Sequence, residues 1–341
     1  IIYKQSVIRF VTKEKENRKM YINDLSSYLK QKFGHKVYKL ALNGKMTCPN
    51  RDGTKGNRGC IFCSEGGSGE FAADGNKTIF EQIEEAKRLV HNKLSDGHYI
   101  AYFQAYTNTY ASVDYLRKIF TEAINHPDIE VLSVATRPDC LNQENIKLLA
   151  ELNRIKPVWV EMGLQTVNEE SIKFIRRGYE NKVFENATES LISYGIDVIV
   201  HMIIGLPEEG IKEILNTVRY INRFKIQGVK FQLLHVLKGT DLEQYYYERG
   251  FHIYSMEEYA DILFEAVEHL RKDIVIHRLT GDGPKKLLIA PLWSGNKRKV
   301  MNYIRDEMKR REIIQGTKMI QGTEMIQGTE MIQGTKMKQE V

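Results

Sequence analysis

The sequence predicts an α/β protein built as a partial (βα)6 TIM-like barrel of parallel strands, with a short helical N-terminal addition and an α/β C-terminal addition. Three observations predict it. Six apolar, β-rich runs recur along the 341 residues. Segments with helical spacing separate them. The residues just after each run are polar or conformationally special, as expected where a parallel sheet presents its functional face.

The elements follow in order. Residues 20–33 (MYINDLSSYLKQKF) place apolar side chains at helical spacing ahead of the first run. The runs are VYKLAL (37–42), YIAYFQA (99–105), EVLSVAT (130–136), PVWVEMGL (157–164), DVIVHMIIGL (197–206) and GVKFQLLH (228–235). Between them Ile79, Ile83, Ala86, Val90 and Leu94 keep helical spacing, as do Leu116, Phe120, Ala123 and Ile124. Segments 142–153, 182–194 and 210–224 read the same way. Strand followed by helix, repeated, implies parallel strands with right-handed crossovers. Nearly continuous apolar runs fit strands covered on both faces. VIHRLTG (275–281) is a candidate seventh strand. The pattern alone leaves an open doubly wound sheet and a barrel both standing.

Composition bounds the function. The chain is 42% hydrophobic and 28% charged, ordinary for a globular protein. No run of about 18 apolar residues occurs, so no transmembrane helix is expected. Four cysteines in so long a chain point to a reducing compartment, and a cytoplasmic location is expected. The net charge is +6, but residues 1–19 hold +4 of it. The small surplus on the body is weak support for a nucleic-acid partner.

Three segments result. Residues 1–19 are an extension that can lie upstream of the true start, because the chain opens on Ile1 and Met20 makes a better beginning. Residues 20–310 form the main domain, with the C-terminal addition from about 240. Residues 311–341 contain IQGTKM, IQGTEM, IQGTEM and IQGTKM in tandem. Four hexapeptides are too few to build a β-helical core, so a disordered appendage is expected.

Chemistry concentrates after the first run. CPNRDGTKGNRGCIFC, from Cys48 to Cys63, holds three of the four cysteines. Cys60 and Cys63 could pair as a redox couple, but Cys48 would be left over. Zinc could take the three thiolates and a fourth ligand, Cys140 or a histidine, although zinc ribbons usually show two close pairs. A 4Fe–4S cluster with three protein thiolates would leave one iron open. Position favours iron, since a reactive cofactor belongs at the mouth of a βα barrel.

Other residues stand at strand ends. Arg137 and Asp139 could pair and shape a pocket, and Cys140 is read as a small buried side chain. Glu161, a carboxylate inside a strand, must be paired if it points inward, and is then a candidate contact at the cofactor site. His201 reads as a satisfied core histidine, or as an inward residue touching a cofactor. His235, Lys238 and Arg278 are candidates for gripping a phosphate or carboxylate. Tyrosines in YFQAYTNTY and YYYERG could stack a base, but are read as partly buried packing.

The motifs CPNRDGT, AYFQAYTNTY, TRPD, GLQT, RRGY, HMIIGLP, HVLKGT and APLW resemble the YhcC/YtqA family of radical S-adenosylmethionine (SAM) proteins across roughly residues 22–305. The resemblance implies that Cys48, Cys60 and Cys63 each ligate one iron of a 4Fe–4S cluster, whose fourth iron chelates SAM. It places Gln104, Tyr106 and Thr107 near the methionyl amine, though without the paired glycines of related enzymes. Gln165 matches a ribose contact, Arg177 a basic residue near SAM, and Gly205 a turn beside the adenine. The YtqA-like branch, of MnmL type, implies tRNA as substrate. The reaction would convert the 5-carboxymethylaminomethyl group of a wobble uridine to 5-aminomethyl. A reductant such as flavodoxin or ferredoxin is implied as a partner.

Overall fold

The computed structural model describes residues 21–67, 69–90, 97–281 and 283–319. The 1–19 extension, Leu94 and the repeats from residue 320 lie outside the described residues.

Nine strands are present among these residues: β1 (Tyr38–Leu42), β2 (Tyr99–Phe103), β3 (Ile129–Thr136), β4 (Val158–Gln165), β5 (Asp197–Ile204), β6 (Gly228–Leu233), β7 (Val236–Leu237), β8 (Val275–Arg278) and β9 (Leu288–Ala290). Seven make one sheet in the order β1-β2-β3-β4-β5-β6-β8, every pair parallel. The candidate seventh strand is therefore real, and the sheet has one strand more than the six regular runs. Within the described residues β1 and β8 do not pair with each other, so the barrel stays open. β7 and β9 form a separate antiparallel pair.

The expected last run, 228–235, is interrupted. β6 stops at Leu233, and Val236–Leu237 turn away to meet β9. Helix Met256–His269, which falls in the expected C-terminal addition, buries Tyr259, Leu263, Phe264 and Val267 and forms the crossover from β6 to β8.

The outer face of the sheet and its helices share one apolar core, with Leu40, Phe103, Val134, Val160, Val200 and Phe231 among its fully covered members. The inner face is layered: inward side chains recur every second residue along each strand, and the register steps by two residues from β3 to β4 and from β4 to β5 within a layer. The lowest layer is apolar: Ile100, Val131, Trp159 and Ile199, plugged from below by Leu29 of helix Leu25–Phe33. Asp24 starts that helix by accepting hydrogen bonds from the Ser26 and Ser27 amides. The next layer is polar, and it forms the floor of the cavity described below.

The start of the expected disordered tail is packed. Gln315 is buried, donates from Nε2 to the Arg271 and Ile274 carbonyls, and accepts from the Asn23 amide. Lys318 pairs with Glu265 and Glu268. The first repeat is thus anchored to the body through one amide side chain that satisfies backbone groups on two elements, which a composition-based reading cannot register.

Candidate active site

A cavity of about 260 Å³ opens at the carboxyl ends of the strands. Cys48, Cys60 and Cys63 all line it, on the loop that follows β1. Within the described residues none of the four cysteines is in a disulfide. The loop is held in shape by its own backbone. The Arg51 amide bonds to the Cys48 carbonyl at 2.8 Å and the Cys63 amide to the Cys60 carbonyl at 3.0 Å. The Arg51 guanidinium donates to the Cys63 carbonyl at 2.8 Å and also to that of Ser64, tying the two ends of the loop together.

Burial pushes the Cys60 thiol up to about 12, and the neighbouring Cys63 and Cys48 add to the effect. The Cys60 thiol thus resists ionising unless a cation compensates it, as a metal ion bound there would.

Other expected residues meet the cysteines here. Gln104, Tyr106, Thr107, Glu161, Gln165 and Arg177 all line the same cavity. Tyr106 and Gln165 hold left-handed backbone at φ 59° and 62°, and Arg176 does so at 56°. Such strain in non-glycine residues is costly and gathers at functional sites. Gln165 Oε1 is a buried acceptor with no hydrogen-bond partner, as expected of a group awaiting a ligand hydroxyl.

Two expected residues behave otherwise. Arg177 is buried, and its guanidinium donates to the carbonyls of Leu164, Thr166 and Tyr179 and to Asn181 Oδ1. These bonds occupy its whole donor fork, so it braces the end of β4 rather than offering a hand to a ligand. Gly205 does not line the cavity. At φ 100° it needs glycine for its backbone, while a Cβ would merely touch Tyr254 at 3.5 Å and Leu234 at 3.7 Å. Lys238 is exposed and is likewise not among the residues lining the cavity.

The floor is a polar network. Glu161 is fully buried and accepts from Lys39 Nζ at 2.6 Å, Ser133 Oγ at 2.7 Å, His201 Nε2 at 2.7 Å and Lys230 Nζ. Lys230 also reaches Tyr102 Oη at 3.2 Å, and Gln232 Nε2 donates to His201 Nδ1 at 3.4 Å. Burial acting alone would raise the Glu161 carboxyl, but Lys230 and Lys39 hold it well below the ordinary range. His201 is therefore an inward residue, satisfied from both sides.

Arg137 and Asp139 form a bidentate pair with both bonds at 2.9 Å, and Lys55 joins Asp139 at 2.7 Å. Arg137 lines the main cavity; Asp139 and Cys140 line a second cleft outside the cysteine loop. Burial pushes the Cys140 thiol up to about 12, with Asp139 adding.

Sequence reasoning missed two contributors. Asn50 donates to the Arg176 carbonyl at 2.7 Å and lies 3.6 Å from the Cys60 sulfur, bridging the cysteine loop to RRGY. Its place directly after Cys48-Pro49 was the available signal. Gly67 is the other. The Tyr106 amide donates to its carbonyl at 2.9 Å, and a Cβ on Gly67 would stand 2.2 Å from the Tyr106 ring. Gly67 also lines the cavity, so this contact sets the end of β2 against the cysteine loop at the cavity wall.

Known proteins give the family. The Radical SAM superfamily description matches residues 52–221, and the Radical_SAM C-terminal domain matches 226–310. YtqA of Bacillus subtilis (strain 168) is 40% identical over 300 residues, 88% of this chain and 93% of that protein. The chain belongs to the radical SAM superfamily. YhcC of Escherichia coli (strain K12) is 34% identical over 277 residues, 81% of this radical SAM chain and 88% of its relative. A tRNA uridine(34) acetyltransferase of Methanocaldococcus jannaschii is 26% identical over 168 residues, 48% of this chain and 30% of that one. The archaeal Methanocaldococcus infernus Elp3 shares the fold, with a TM-score of 0.62 at 17% identity over 82% of this chain and 64% of its own.

Radical SAM enzymes use a 4Fe–4S cluster and SAM, and these are the cofactors of this one. The residues present fit them: three half-buried thiols on one loop would hold the iron, and Gln165 Oε1 offers an unspent acceptor in the same cavity. When bound, the pair supplies a 5′-deoxyadenosyl radical from reductive cleavage of SAM. The chain's own part is to fix the loop, line the cavity and seat a substrate against that chemistry.

Proposed function

We propose that this radical SAM enzyme modifies tRNA, converting the 5-carboxymethylaminomethyl group of a wobble uridine to 5-aminomethyl. The observation that carries the reading is the match to a tRNA uridine(34) acetyltransferase over 168 residues, a protein named for the same nucleoside position. The cavity adds chemical support. Arg51, Arg137, Arg177, Lys230 and Arg278 line it against Glu70 and Glu161, a cationic surround suited to an anionic substrate. In this reading the carboxymethyl carbon gives up a hydrogen atom and then one electron, which returns to the redox partner, and water splits the resulting imine into the 5-aminomethyl amine and a two-carbon aldehyde acid. A flavodoxin or ferredoxin supplies the electron, and the enzyme works in the cytoplasm. Within the described residues no helix is long and apolar enough to cross a membrane, which fits such a site of action.

Nucleoside analysis of tRNA from cells lacking the protein tests this. Accumulated 5-carboxymethylaminomethyluridine with depleted 5-aminomethyluridine is expected. An unchanged nucleoside profile rejects the tRNA assignment and leaves the superfamily membership untouched.

A further inference from the structure

The small positive surplus of the body is not spread evenly. Residues 20–313 have a net charge of +2, and residues 281–300 alone have +4, with Lys285, Lys286, Lys297, Arg298 and Lys299 set against Asp282. The rest of that body is therefore net −2. Clustering of this kind, rather than a total, marks an electrostatic footprint. Lys285, Lys286, Arg298 and Lys299 are all exposed, as is Lys238. Among the described residues these five side chains join no ion pair.

Tertiary structure brings these cations together. β9 pairs with β7, and the Lys238 amide donates to the Leu287 carbonyl at 2.8 Å, so Lys238 lies beside the segment that carries Lys285 and Lys286. β9 leads through the short helical turn Leu292–Gly295 to helix Lys297–Arg310. That turn folds back. Trp293 Nε1 donates to the Tyr254 carbonyl at 2.9 Å, and a Cβ on Gly295 would lie 3.5 Å from the Leu288 side chain. The start of the helix is thereby held against β9, to which Lys285 and Lys286 lead. Helix Lys297–Arg310 opens on three cations and has no acid in its first turn. The helix dipole disfavours cations there, so the placement costs stability unless an anion lies outside. The patch also adjoins the active site. Gly283 and Pro284, directly before Lys285, line the cavity, as does Leu237, directly before Lys238.

We infer that this basic surface, made by Lys238, Lys285, Lys286, Arg298 and Lys299, docks the phosphate backbone of an RNA whose reacting nucleotide enters the cavity. The inference rests on the tRNA reading for the class of partner and adds where that partner is held. A polyanion fits because the cations are exposed and spread over a loop, a strand end and a helix start, rather than gathered in a pocket for one small anion. An acidic reductant is another polyanion that such a surface would take. Continuity with the cavity favours RNA, since a substrate has to enter the cavity and an electron donor does not. Phosphate contacts fix register and orientation without reading sequence, so these are positioning residues.

The test uses reconstituted full-length enzyme and total tRNA from cells lacking the protein. Fluorescence anisotropy reads binding between about 50 and 200 mM KCl, where phosphate contacts are strongly screened. Wild type should lose affinity steeply as salt rises. A variant combining Lys285→Gln, Lys286→Gln, Arg298→Gln and Lys299→Gln should bind about tenfold or more weakly at low salt. Its slope of log K against log salt should be shallower by about 3, as expected when four phosphate contacts are removed. Its iron content and its SAM cleavage with dithionite, without RNA, should match wild type, because none of the four is among the residues lining the cavity. Arginine at the three lysine positions should restore binding. Wild type that binds no tRNA, or a glutamine variant with unchanged affinity and slope, overturns the surface. Unchanged tRNA binding with slowed reduction by flavodoxin gives the surface to an acidic protein and also overturns the inference. A second arm measures 5′-deoxyadenosine formation with tRNA carrying the carboxymethylaminomethyl group. If docking behaves as expected but that tRNA elicits nothing, the wobble-uridine reading falls and the RNA surface stands.

Discussion

Glu161 on β4 and His201 on β5 are joined by a 2.7 Å hydrogen bond inside the barrel, the imidazole Nε2–H donating to a carboxylate with no solvent exposure. The same imidazole accepts from Gln232 at Nδ1, which fixes the neutral tautomer. Burial, with Lys230 nearby, lowers His201 to about 4.

The pH dependence of folding follows. Between about 6.5, the unfolded value, and about 4 the unfolded chain binds the proton that the folded chain refuses. Stability is thus full above that window and falls as pH drops through it, by roughly 3 kcal/mol at most for this one group. Urea unfolding of wild type and His201→Gln between pH 4 and 7 measures this. The variant should show a flatter slope; equal slopes reject the assignment.

Cys60→Ala should abolish cluster assembly, because one of the three proposed thiol ligands is gone and Cys48 and Cys63 cannot hold the site alone. After anaerobic reconstitution the variant should be colourless and form no 5′-deoxyadenosine. A brown, active variant would remove Cys60 from the ligand set. Wild type that binds one zinc and stays colourless would instead revive the zinc alternative.

Arg177→Met should be strongly destabilising, by about 3 kcal/mol, since the carbonyls of Leu164, Thr166 and Tyr179 lose a buried donor. Denaturant midpoints check this. A variant that keeps its stability but binds SAM much more weakly would mean the guanidinium serves the ligand after all.

Two glycines should respond differently to alanine. Gly205→Ala adds only left-handed strain, about 1 kcal/mol, because its Cβ finds ordinary contacts. Gly67→Ala drives a methyl into the Tyr106 ring and should displace the cysteine loop from β2, lowering iron content after reconstitution. Equal iron content in wild type and Gly67→Ala would show that the loop tolerates the shift.

Gln315→Ala should cost roughly 2 kcal/mol, as two buried carbonyls and the Asn23 amide lose their partner. A thermal melt reads it. No change would mean that the first repeat does not contribute to the stability of the body.

The strands were legible because each is a short apolar run bounded by polar ends, and parallel burial enforces that pattern locally. The cysteine loop was legible because its ligands are close in sequence. Residues that act across strands were not. Glu161 could be suspected of pairing, but nothing in VEMGLQT names Lys39, His201 or Lys230 as its partners. Arg177 looked like a ligand contact because its motif shows a cation, not that its donors are consumed by carbonyls. Gly205 looked like a site of close approach because a sequence shows a glycine without its φ.

The sequence by itself determined the alternation of strand and helix, the three-thiol loop and the superfamily, since these depend on spacing along the chain. Tertiary structure alone decided the open seven-stranded closure, the charge balance of the barrel floor and the docking of Gln315. Those depend on which side chains share a layer when distant strands come into register, and hydrogen bonding between such residues leaves no periodic trace in either partner's neighbourhood.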